Sequence, residues 1–170
     1  INRDLRDTQY IARKAREILE SAVRVVVPTT GSVTDRLRED WQLVDVMKEL
    51  NWDKYDQLGL TEIVKDHDGR QIRRIKDWTK RNDHRHHAMD ALTIAFTRHS
   101  YIQYLNNLNA RSDKGGSIYA IEKKELYRDK NNKLRFIPPM PLGEFRVEAR
   151  RHLENVLISI KAKNKVVTRN

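Results

Sequence analysis

No cysteine occurs among the 170 residues, so disulfides and thiolate-bound metals are excluded, a cysteine-type zinc finger cannot form, and a reducing cytoplasm is compatible with the chain. Apolar side chains are scarce as well, at 38% of residues against 34% charged. A chain of this length can build one ordinary domain, but much of this surface needs an interaction beyond its own core. No apolar run approaches membrane-spanning length and no signal-peptide pattern opens the sequence, so no membrane partner is expected. Acidic residues are outnumbered: 34 Lys and Arg face 24 Asp and Glu, a formal charge of +10. That excess suits a polyphosphate backbone, the bland alternative being a merely basic protein. The chain opens at Ile1 without methionine and breaks off at "KVVTRN" in a strand-like pattern. The expectation is a piece of a larger protein.

Periodicity divides the rest. Apolar positions Leu5, Ile11, Ala15, Ile18, Leu19 and Ala22 recur at helical spacing, with Arg3, Arg6, Arg13, Lys14 and Arg16 on the other faces, which predicts a long basic helix over 2–22. "VRVVVP", residues 23–28, is β-branched and nearly continuous, the pattern of a central strand covered on both faces and needing neighbours. "TTGS" makes a turn, and helical period returns over 34–50. Residues 51–80 read as short helices and loops around a turn at "DHDGR". A long helix is predicted over 85–109, then a flexible break at "ARSDKGGS". A hairpin follows within 117–139, turning at 129–132, and a last amphipathic helix spans 144–158. There are no internal repeats.

"RNDHRHHAMDALTIAF", residues 81–96, carries the chemistry. At about 100° per residue and with Asp90 as origin, His86 lies near −40° and His87 near +60°, with Thr93 and Thr97 close to Asp90. Ala88, Met89, Ala91, Leu92, Ala95 and Phe96 take the opposite arc. The pattern predicts one apolar core face and one polar face presenting a carboxylate between two imidazoles. Three readings compete. The bland one is a salt-bridged helix start, with Asp90 paired to His86 or Arg85. A zinc site would take two of His84, His86 and His87 plus Asp90, although their spacing is not the i, i+4 pair of zincins. A magnesium-dependent nuclease would use Asp90 as a hard oxygen ligand and leave a histidine such as His87 to act on the attacking water.

"DHRHHAMDA" closely resembles the third RuvC motif of the Cas-nine family, the CRISPR-associated effector nucleases. "INRDLRDTQYIARKAREIL" is similar to that family's helix after its HNH domain. "VVVPTTGSVTDRLREDW" resembles its strand, then Gly-x-x-Thr, then Leu-Arg and an aromatic. The ending "ISIKAKNKVVTRN" is similar to the family's entry into its PAM-interacting region, and "KYDQLGL…IKDW" looks most like the smaller type II-C members. The resemblance implies an α/β, predominantly helical piece of an RNase H-like RuvC nuclease domain, incomplete on its own: one central strand flanked by long helices, plus a hairpin and a C-terminal helix. It divides the chain into 1–112, the third RuvC segment, 113–142, a variable hairpin insert, and 143–170, the helix and entry into the following region.

What the resemblance implies functionally is a bacterial, cytoplasmic, RNA-guided DNA endonuclease of antiviral immunity whose RuvC site cuts the non-target strand by a two-metal mechanism. His87 maps to the general base, Asp90 to a metal ligand, and His86 to a supporting position. Mg²⁺ is the implied cofactor, with Mn²⁺ as a substitute. The partners are guide RNA, target DNA, the remaining RuvC segments, the HNH domain and an anti-CRISPR inhibitor. The first and second RuvC segments supply the family's other carboxylates. Arg3, Arg6, Arg13 and Arg16 are the nucleic-acid-binding candidates. The alternative is a non-catalytic basic module that binds nucleic acid or docks an inhibitor.

Overall fold

The computed structural model describes residues 2–65, 69, 71–79, 82–109 and 116–157; the side chains of 2–5, 109, 116 and 117 are also outside the described set. Of the expected break over 110–117, residues 110–115 lie outside the described residues, as does the ending from 158 onward, and Gly116 and Ser117 open a helix instead. The chain is mostly helical. Its elements run α1 (Asn2–Glu20), α2 (Gly31–Asp40), α3 (Leu43–Gln57), β1 (Thr61–Lys65), β2 (Gln71–Ile75), α4 (His86–Ala95), α5 (His99–Asn109), α6 (Gly116–Glu125), β3 (Leu126–Arg128), β4 (Leu134–Phe136) and α7 (Leu142–Glu154).

The predicted basic helix is α1, and every described side chain on it is exposed, apolar Tyr10, Ile11, Ile18 and Leu19 included. The predicted central strand at 23–28 does not form among the described residues: the backbone there is irregular, and Val25 is 72% exposed. A strand exists only through a neighbour's hydrogen bonds. The two antiparallel hairpins present pair within themselves, β1 with β2 and β3 with β4, and among the described residues no strand pairs with the valines.

The single helix expected over 34–50 is two helices. A straight helix would send Trp41 and Leu43, about 200° apart, to opposite faces. Gln42 instead turns the chain through a left-handed conformation, φ 55°, and both neighbours are fully buried. α3 ends in a Schellman cap: the Leu60 N–H donates to Tyr55 O and the Gly59 N–H to Asp56 O, each at 2.9 Å, with Gly59 at φ 67°. The β1–β2 hairpin follows, pairing Thr61 with Ile75 through Lys65 with Gln71 where short helices and loops were expected; the expected turn at 66–70 lies, but for Gly69, outside the described residues.

The helix expected over 85–109 is likewise broken, into α4 and α5. The Thr93 hydroxyl donates to Met89 O and the Thr97 hydroxyl to Thr93 O, both at 2.8 Å, back-bonding that bends and weakens a helix. Arg98 at the break then swings out to pair with Glu125 at 2.8 Å. The first part of the predicted hairpin, 117–125, is helix α6. The β3–β4 turn falls where expected: Asp129 accepts the Asn131 and Lys133 N–H groups at 2.9 Å, and Asn132 takes φ 61°.

One apolar core joins these pieces. Val33, Leu37 and Trp41 of the α2 segment meet Val46 and Met47 of α3, Met89 of α4, Tyr101 and Tyr104 of α5, Phe136 of β4, and Phe145, Ala149 and Leu153 of α7. Its residues come from each of the three sections distinguished in the sequence. A buried carboxylate ties the hairpin to α2: Asp40 accepts from Arg36 at 2.9 Å, Arg135 at 3.3 Å and the Phe136 N–H at 3.0 Å. The hydroxyl of Tyr104, buried and donating to Glu122 at 2.8 Å, is pushed up to about 12 by burial and by that carboxylate.

Candidate active site

The site is built where α4 starts. Asp83 precedes the helix by three residues and is buried. Its side chain accepts the Arg85 backbone N–H at 2.9 Å, the Arg85 guanidinium at 2.6 and 2.9 Å, and the Asn51 amide of α3 at 2.7 Å. This Asx-type turn shapes the entry to the helix and fastens it to α3. The Asp83 carbonyl accepts both the His86 backbone N–H at 3.0 Å and ring Nδ1 at 2.7 Å. Because a carbonyl only accepts, that contact assigns the proton to Nδ1.

Burial alone would raise the Asp83 carboxyl, but the hydrogen bonds from Arg85 and Asn51 outweigh it and hold the group below its ordinary value of 3.8. With the folded value depressed, the stabilisation is complete above the ordinary value and is lost as pH falls through the folded one. Asp83→Asn is therefore expected to cost about 1–3 kcal/mol at neutral pH, a deficit that shrinks in acid below 3.8. Urea midpoints of both proteins between pH 3 and 7 check this; a deficit independent of pH refutes it.

Three imidazoles line up along this turn. His84 and His86 rings lie 6.5 Å apart, and His86 and His87 rings 3.9 Å apart. His86 is buried, while His84 and His87 are exposed. Asp90 follows His87 by one helical turn, on the flank of α4 that meets α2, with its side chain 27% exposed. Its carboxylate accepts a hydrogen bond from Nη1 of Arg38, whose Nη2 donates to Asp35. The Arg38 side chain is only 3% exposed, so a cation sits inside the protein against the carboxylate singled out by the sequence.

The predicted division of α4 into polar and apolar faces is corrected. His86, Met89 and Thr93 form the buried flank, and Ala91, Ile94, Ala95 and Phe96 are exposed. The helix is wedged between α2 and α7, and its inward polar groups are satisfied locally. The Thr93 hydroxyl is bonded to Met89 O, and the His86 ring to Asp83 O. Asp90 pairs with Arg38, a partner that none of the three readings named, and Arg85 pairs with Asp83.

Among the described residues no three His, Cys, Asp or Glu side chains group as a metal cage. Asp90 by itself fits one place in a magnesium set, because that ion takes hard oxygen, often from one or two carboxylates with water and phosphate completing the shell. Arg6, Arg13 and Arg16 are exposed along α1, Arg16 pairing with Glu20 at 2.6 Å; the side chain of Arg3 lies outside the described residues. Sequence reasoning missed Arg38, Asp35, Asp83 and Asn51. Asp83 carried a local signal, an Asx residue before a helix, whereas the Arg38–Asp90 pair spans 52 residues and has no local pattern.

The fold is one of helices around two small hairpins, with an imidazole and a carboxylate one turn apart on α4. The chain matches the family of RuvC endonuclease subdomain 3 over residues 1–167, and it belongs to that family. No curated protein and no solved structure matches it. The family is one of nucleases, hydrolases that generally use divalent metal ions. No described helix is long and apolar enough to cross a membrane.

Proposed function

We propose that the chain is the third RuvC segment of an RNA-guided DNA endonuclease of the Cas-nine type, similar to the type II-C members, and that it supplies His87 and Asp90 to the site that cuts the non-target strand. The observation that carries this reading is the arrangement on α4. An exposed imidazole and a half-exposed carboxylate stand one turn apart on a helix whose entry is fastened by Asp83 and whose flank is fastened by Arg38. Rigid placement of this kind is what in-line attack on a phosphodiester requires.

His87, exposed to solvent, takes the proton of the attacking water as general base. Asp90 holds Mg²⁺, or Mn²⁺ in its place, whose contribution when bound is to stabilise charge on the phosphoryl oxygens and the leaving oxygen. The remaining carboxylates come from the first and second RuvC segments of the same enzyme. Those segments also supply strand neighbours for the valines at 23–27 and a cover for the apolar residues of α1. Guide RNA and target DNA are the nucleic-acid partners in this reading, in which the arginines of α1 meet a phosphate backbone; their exposure and the charge of +10 support it.

The test is a supercoiled plasmid carrying the target. In the full-length enzyme His87→Ala is expected to slow non-target-strand cutting by about 10²- to 10⁴-fold. The product then accumulates as nicked circle, because the HNH domain still cuts the other strand. Linear product at the parent rate sinks the assignment.

A further inference from the structure

We propose that Arg38 is a positioning residue for Asp90, and that the chain Asp35–Arg38–Asp90 sets how tightly the site takes a divalent cation. This rests on the reading of Asp90 as a cation ligand. Arg38 lies on α2 between Leu37 and Trp41 at the end of the helix, both core residues, and its guanidinium is buried. Its two terminal nitrogens reach in different directions, Nη1 to Asp90 on α4 and Nη2 to Asp35 one turn back on α2. A planar fork held at both tines fixes the direction of the carboxylate it touches, as a freely rotating ammonium cannot.

A second observation points the same way. Nε of Arg38 is buried with no hydrogen-bond partner among the described residues. A buried donor left unmade is a standing cost. A side chain kept only to pack α2 against α4 would shed that cost by being apolar. Partners that orient a ligating carboxylate typically matter about 10- to 100-fold for metal affinity or activity.

The experiment is Mn²⁺ binding to the full-length protein, followed by electron paramagnetic resonance, which does not depend on cutting. Asp90→Asn defines the site as the Mn²⁺ population it loses. Arg38→Lys keeps the buried charge and removes the fork, and is expected to weaken that site about tenfold. Asp35→Ala, a change on a side chain 75% exposed that leaves Asp90 as a partner of Arg38, frees the outer tine and is expected to weaken it by a smaller factor. If Asp90→Asn binds Mn²⁺ as the parent does, the ligand reading fails and this inference falls with it. If Asp90→Asn loses the site while both other variants keep parent affinity, the ligand reading stands and the role of Arg38 is overturned. Should Arg38→Lys not fold, Asp35→Ala decides: weakened binding supports the chain, and unchanged binding overturns it.

Discussion

Under the proposed function, Asp90→Asn is expected to lower non-target-strand cutting by the full-length enzyme at least about a thousandfold, since the loss of a cation ligand would remove several kcal/mol of charge stabilisation and each 1.36 kcal/mol is worth a factor of ten. The choice of asparagine over alanine follows from the surroundings of the side chain. Asp90 is a partner of a guanidinium that is 3% exposed. Alanine would leave that cation with Asp35, which is turned toward solvent, and stripping a partner from a buried charge destabilises the fold on its own account. Asparagine keeps a carbonyl oxygen for Nη1 of Arg38 and removes the negative charge. Asp90→Asn should therefore melt close to the parent while failing to cut, and Asp90→Ala should fail at both. Strand-specific cleavage on end-labelled target DNA, beside thermal unfolding, separates these outcomes. Parent-rate cutting of both strands by Asp90→Asn refutes the catalytic role.

The largest effect on stability is expected at Trp41. It is fully buried where α2 ends, its ring edge-on to Phe145 at 5.7 Å and to Tyr101 at 6.4 Å. Three helices thus meet on one indole. Trp41→Ala is expected to cost about 3–5 kcal/mol through lost burial and the cavity left behind, and to lower the melting temperature by about 10 °C for a chain of this size. Trp41→Phe should cost far less, about 1 kcal/mol, since the indole N–H is buried without a partner among the described residues and removing that donor offsets part of the lost contact area. Calorimetry of both variants checks the pair. A Trp41→Ala protein melting within two degrees of the parent would show that the core is not centred there.

Much of the helical content was readable locally, because an amphipathic helix writes its burial into a 3.6-residue period and caps and turns use a few residue types. α1, α7 and the turn at Asp129 follow from such signals. The failures share a cause as well. The unbroken periods through Trp41 and through Phe96 looked like single helices, because a chain that bends to bury Leu43, or to send Arg98 to Glu125, keeps its apolar spacing across the bend. The valines at 23–27 have strand propensity, but a strand is a relation between two segments, and propensity cannot supply the second.

By itself the sequence determined membership of the RuvC endonuclease subdomain 3 family and which side chains are on offer, since the residues of "HHAMDA" are contiguous and each one's acid–base character is its own. It also determined that an imidazole and a carboxylate would stand one turn apart, because helix geometry is local. Only the tertiary structure decided which flank of α4 is buried, and that Asp90 answers to Arg38. That pairing depends on how α2 packs against α4, and a buried cation must be met by whichever carboxylate the packing brings to it.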